Sequence, residues 1–338
     1  MIRIIPFFLL CILSAPAVFS QDADLSAFEK NLLQPLCNKL INAKNDTERN
    51  KLNKELLLLM DSALSVPSSF NYPFDSIHKC VSVLTSPDNK FRILNWYLPK
   101  DDGNHEYYGF IQSKHQEVRK KGFRKQRREV VLLHPLADRT SEIKNPENAI
   151  TDNKKWYGAW YYRIILKKTK TKTYYTLLGW DGNDKLTKKR IIEVLTFDSK
   201  GLPKFGADIF VMKKKYPKRV IFEYSATCSM SLKYSNRKDS IIFDHLAPTL
   251  SQLEGQYQYY CADMSYDGFG FKRGKWHYGA DLNPLNEKDE NDKLYKDPKD
   301  RSHSSDQSDG INSFNRDEIR KDPDYKDFKK KEKKKKAD

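Results

Sequence analysis

Apolar residues recur at spacings of three and four in two stretches near the start of the chain. Leu25, Phe28, Leu32, Leu36 and Leu40 form the first set, and Leu52, Leu56, Leu59, Met60 and Ala63 the second. Each set falls on one face of an α-helix, which predicts a pair of amphipathic helices over 21–70, with Asp46 as the cap of the second. Pro35 lies inside the first pattern, where its missing N–H and its ring predict a kink or a break. From about residue 77 the period changes to two. Strand-like runs cover 80–84, 91–98, 107–111, 129–133, 161–166, 174–180, 191–197 and 219–225. The clearest alternation sets Cys228, Met230, Leu232 and Tyr234 against Ser229, Ser231, Lys233 and Ser235, which describes one buried and one wet face.

Turn chemistry separates these runs. Ser86-Pro87-Asp88-Asn89, Asp198-Ser199-Lys200-Gly201 and Lys272-Arg273-Gly274-Lys275 each supply residues that tolerate a reversal. Short strands with no helical pattern between them predict a mainly β domain of antiparallel sheets over 71–284: a sandwich, an open barrel or a propeller-like meander. No fixed-period repeat decides among the three. One segment breaks the alternation. Residues 115–128 hold seven Lys and Arg and read as an exposed loop or short helix.

The ends of the chain carry different information. MIRIIPFFLLCILSAPAVFSQ has one positive charge at Arg3, a short apolar stretch and small residues at Val18 and Ser20, the layout of a signal peptide over 1–20. The expectation is an exported chain, periplasmic or associated with the cell envelope, and not an integral membrane protein. Four cysteines then remain, Cys37, Cys80, Cys228 and Cys261, which permits two disulfides or leaves buried thiols. Residues 285–338 are charged, mixed in sign and nearly free of apolar side chains, so they predict a disordered tail. The tail has 16 Lys and Arg against 15 Asp and Glu, and the rest of the chain therefore carries +15 of the net +16. Such a charge attracts an anionic envelope polymer, an acidic glycan or an envelope protein, and an exported location leaves nucleic acid outside the expected partners. A solvated lysine-rich surface would give the same count.

Candidate chemistry is sparse. Trp180-Asp181-Gly182-Asn183-Asp184 suggests calcium by its oxygens, but Lys185 and Leu186 break the EF-hand template, and the residues also suit a turn. Neither a metal nor a cofactor is expected. Asp244 and His245 adjoin at the end of an apolar run, where neighbouring strand residues point to opposite faces. Tyr266, Asp267, Phe269, Trp276, His277 and Tyr278 combine aromatics with a carboxylate, as glycan sites and sheet cores both do. No GxSxG elbow or HExxH occurs. Trp180, Asp181, Asn183, Asp184, Asp244, His245, Asp267 and Trp276 are thus the candidate ligand-binding residues.

The run WYGAWYYRIILKKTKTKTYYTLLGWDGND, with PKFGADIF, KRVIFEYSA, IIFDHLAP and SYDGFGFKRGKW, resembles an uncharacterised family of exported proteins from Bacteroidota. The resemblance spans 156–281. It implies a Gram-negative envelope location and carries over no catalytic residue. The chain reads as a non-catalytic exported β-rich module that binds an anionic or glycan component of the envelope. The alternative is a hydrolase of envelope polymers working through carboxylates or a metal, which requires Asp181, Asp184, Asp244, His245 and Asp267 to converge.

Overall fold

The computed structural model describes residues 21–121, 124–212, 215–280 and 282. The expected signal peptide and charged tail lie outside the described residues.

The first apolar stripe forms α1 (Gln21–Phe28), a π turn (Glu29–Leu33) and α2 (Gln34–Ile41), and the second forms α3 (Asp46–Leu64). The expected pair of helices is therefore three α-helical segments. Pro35 has no N–H for the preceding turn and its ring crowds the carbonyl there, and the wider π turn just before it accommodates the misfit. The cap of α3 is Asn45 rather than Asp46: it is extended, and its side chain accepts from the Glu48 N–H at 2.9 Å. Asp46 instead pairs with Arg49 at 2.8 Å.

Three sheets follow. The first runs β1 (Ser82–Thr85), β2 (Phe91–Pro99), β3 (His105–Lys121) and β4 (Arg124–Ala137) in sequence order. Here the basic segment is corrected, for its described residues 115–121 and 124–128 lie on paired strands rather than in a loop or helix. β2 pairs with β3 only as far as Ser113, so β3 and β4 continue alone as a two-stranded ribbon. Beyond the core both faces of a ribbon meet water, which removes the apolar alternation by which a strand is recognised.

The middle sheet comprises β5 (Thr151–Asp152), β6 (Trp160–Lys168), β7 (Thr173–Asp181), β8 (Thr187–Phe197) and β9 (Pro203–Phe205), in the order β5-β9-β8-β7-β6. The third comprises β10 (Phe210–Val211), β12 (Leu232–Ser235), β13 (Ser240–Pro248), β14 (Tyr260–Lys272) and β15 (Lys275–Gly279), in the order β10-β15-β14-β13-β12. Between them in sequence, β11 (Val220–Ser225) joins the middle sheet along β8. β10 pairs with β15 in parallel, and the other pairings among the described strands are antiparallel. No sheet closes into a barrel.

Alternation assigns every layer its neighbour. In β2, Leu94, Trp96 and Leu98 face the helices, while Phe91 and Ile93 face the middle sheet. In β7 and β8, Leu177, Ile191 and Leu195 face the first sheet, and Leu178, Ile192 and Val194 face Ile241, Phe243 and Phe269 of the third. The order is helices, first sheet, middle sheet, third sheet. A disulfide between Cys228 and Cys261 joins the segment before β12 to β14. Cys37 and Cys80 are free, and their mutual hydrogen bond, with burial, pushes the Cys37 thiol far up.

Glu193 of β8 points toward the first sheet with no solvent exposure and meets Arg219, equally buried. Tyr161 donates to the same carboxylate, and Trp156 Nε1 donates to the Tyr161 hydroxyl at 2.9 Å. Removing one partner of such a pair strands a buried charge. Glu193→Gln should destabilise the fold by about 3–5 kcal/mol in urea melts. The double variant Glu193→Leu/Arg219→Met should recover much of that loss, and a double variant no more stable than the single one would contradict this account.

Candidate functional site

The connection from β7 to β8 spends most of its polar atoms on itself. Asp184 Oδ1 accepts from the N–H groups of Leu186 at 2.7 Å and Thr187 at 2.9 Å. Asn183 sits in the left-handed region at φ 47° and donates to Thr187 Oγ1 at 2.6 Å, while Lys189 donates to its Oδ1 at 2.7 Å. Asn183 and Asp184 therefore shape the reversal. Asp181 does something else. Its Oδ1 accepts from the Tyr107 hydroxyl at 2.8 Å and the Asn183 N–H at 2.7 Å, and burial pushes its carboxyl above the usual range. Half-buried Trp180 packs edge-on against Tyr97 at 5.2 Å and His105 at 5.5 Å.

Asp181 lies at the edge of a depression of about 540 Å³, shared with His105, Tyr107, Asp138, Thr140 and Asn183. The His105 ring lies so close over Gly182 that a Cβ there would come within 2.4–2.5 Å of three ring atoms, so only glycine fits. Burial lowers the His105 pKa and favours the neutral imidazole. Asp138 Oδ1 accepts from Thr140 N at 3.0 Å and Oγ1 at 2.7 Å, and its Oδ2 from the Tyr107 N–H at 3.2 Å. These bonds fasten the end of β7 to the start of β3. The arrangement is a polar clamp, and His105, Tyr107, Asp138 and Thr140 carried no mark in the sequence because they come from separate segments.

The remaining candidates lie on the third sheet. Asp244 Oδ2 accepts from the Ser231 N–H at 2.7 Å. His245 Nδ1 lies 2.8 Å from Asp263 Oδ2 on the surface, and hydrogen bonds from Ser265 with the nearby imidazole hold Asp263 down at about 2. Buried Asp267 accepts from the Tyr278 hydroxyl at 2.6 Å. Trp276 is wholly buried and donates to Thr176 Oγ1 at 2.9 Å, so it is core between the middle and third sheets. The structure thus joins Trp180, Asp181, Asn183 and Asp184 at one loop and leaves Asp244, His245, Asp267 and Trp276 apart from them. Among the described residues, no group of three or more His, Cys, Asp or Glu could hold a metal ion.

A larger depression, about 650 Å³, opens at the opposite end of the gap between the first and middle sheets. Lys90, His115, Lys172 and Lys204 line it together with Tyr174 and Asp198. Lys90 and Lys204 approach Asp88 and Asp152 at 3.9 and 3.3 Å, leaving their ammonium groups partly in solvent. Its wall continues directly into the basic ribbon through Lys114 and His115 of β3. No motif announces this groove, since its lysines are scattered over more than a hundred residues. The excess of Lys and Arg in 115–128 was the only visible trace.

None of the protein-family models, curated proteins or solved structures compared with the chain matches it. No described helix is long and apolar enough to cross a membrane.

The lowered His105 pKa has a sign. A buried imidazole that resists protonation binds fewer protons folded than unfolded, so its stabilising effect is complete above the unfolded value of 6.5 and is lost as pH falls through the lower folded one. The melting temperature should drop between pH 7 and pH 5, and His105→Gln should shrink that drop. An unchanged drop in the variant would assign the effect to His134 and His277, whose pKa values burial also lowers.

Proposed function

We propose that the chain is an exported β-rich module that binds an anionic polymer of the cell envelope, with the basic groove and the β3–β4 ribbon as one docking surface. The observation that carries this reading is the ribbon. The backbone that carries its seven Lys and Arg runs on paired strands rather than in a loop, with Arg127 and Arg128 exposed. A preorganised row of cations binds a row of anions at lower entropic cost than a flexible tail does. The groove at its base continues the positive lining with Lys90, Lys172 and Lys204. The signal-like start of the sequence and its resemblance to exported Bacteroidota proteins support the envelope as the location. The carboxylate or metal hydrolase has less support, because its five residues are divided between two regions.

The test is retention of the mature chain on immobilised lipopolysaccharide and on a neutral glucan across a salt series. Binding to the anionic polymer should fall steeply with salt. Reversing Arg124, Lys125, Arg127 and Arg128 to Glu should weaken it at least about tenfold, on the basis of about 1 kcal/mol for each cation near an anionic surface. Equal retention on both polymers, or no effect of the reversal, would remove the ribbon from the function.

A further inference from the structure

The floor of the basic groove holds a serine and a histidine that no motif links. Ser113 is the last residue of β3 to pair with β2, and His134 lies on β4 opposite Ile111. Ile111, Ser113 and His134 share the face that looks toward the middle sheet. Ser113 Oγ lies 3.2 Å from His134 Nε2. Ser113 lines the groove and is only 3% exposed, while His134 is buried behind it at 6%.

A third element fixes the imidazole. The turn between β8 and β9 folds over this corner, with Gly201 in the left-handed region at φ 78°. The backbone of Gly201 and the carboxylate of Asp198 in the same turn both act on the His134 ring, each favouring its protonated form. With Nε2 accepting from Ser113, the ring proton belongs on Nδ1. Burial favours the neutral ring, the form a base requires. A hydroxyl on a base, the base oriented by a third group, and the hydroxyl facing a cavity are together the geometry of an activated nucleophile.

We propose that Ser113 and His134 form a serine nucleophile and general base that cleaves carboxylic esters of short acyl groups, the rest of the substrate lying along the lysines of the groove. Ser113 Oγ attacks the ester carbonyl carbon as its proton passes to His134 Nε2. The tetrahedral species collapses with loss of the alcohol, which takes that proton. Water then attacks the acyl-serine, again through His134, and releases the carboxylic acid and free Ser113. The slight exposure of Ser113 admits only a slim acyl chain, and the groove's lysines bring positive potential to the developing oxyanion. This activity does not rest on polymer binding, and small uncharged probes test it alone.

The experiment treats the full mature chain with a fluorophosphonate, locates the label by peptide mass spectrometry and follows p-nitrophenyl acetate hydrolysis. Ser113 should be the labelled serine, and Ser113→Ala should lose both label and hydrolysis. His134→Gln should slow both by at least about a hundredfold, whereas His78→Gln, at an exposed site among the helical connections, should not. The labelling rate should rise with pH through a midpoint below 6.5; the other titratable groups lining the groove are Asp198, Asp208, His115, Lys90, Lys114, Lys172, Lys204, Tyr174 and Tyr175. An unlabelled Ser113 in the folded wild-type chain overturns the proposal whatever the variants do. So does hydrolysis that survives Ser113→Ala.

Discussion

The ion pair of Glu193 and Arg219 is the interaction on which the layered architecture depends. Glu193 occupies the centre of β8, the strand that pairs with β7 on one side and with β9 and β11 on the other. Both faces of this sheet are covered, so a carboxylate there has no access to water and must be neutralised within the protein. Arg219 does so just ahead of β11. Its guanidinium also reaches the Pro146 carbonyl and lies 5.1 Å over the Tyr157 ring. One contact thereby fixes β11 on β8 and anchors the irregular 138–158 segment, which supplies Asp138 and Thr140 to the polar clamp.

A stack of three sheets under a helical layer leaves few places for function. The helices are fastened by buried polar groups as well as by leucines. Arg92 donates to Gln112 at 2.6 Å and to the Tyr72 carbonyl at 2.6 Å, and Glu29 accepts from Ser76 and Tyr72. With the faces of the first and middle sheets occupied, the two depressions described open at the ends of the gap between them. One end is closed by the Asp181 clamp. The other remains open as the groove, floored by Ser113 and extended by the basic ribbon.

That division explains which candidates in the sequence had structural fates. Asp184 and Asn183 are used by a reversal, Trp276 by the core, and Asp267 by a buried hydrogen bond to Tyr278. Each is a polar or aromatic side chain whose composition suits a ligand as well as a fold. Only its neighbours decide between them. Asp181 combines the two, since it is bound by the chain yet borders a cavity.

The sequence by itself determined the helical start, the positions of most strands and the turns at 86–89, 198–201 and 272–275, because these follow from local periodicity and backbone tolerance. It also announced a mainly β, antiparallel chain with a strongly positive body. It misread 115–128 because a solvated ribbon has no apolar alternation, and it read the first stripe as one helix kinked or broken at Pro35, where the structure has two helices around a π turn that has no signature of its own. Tertiary structure alone decided that Cys228 meets Cys261, that Ser113 meets His134 under Gly201, and that lysines from distant segments line one groove. Those meetings depend on the registers of paired strands and on which sheet faces which, and neither is written in the spacing of residues along the chain.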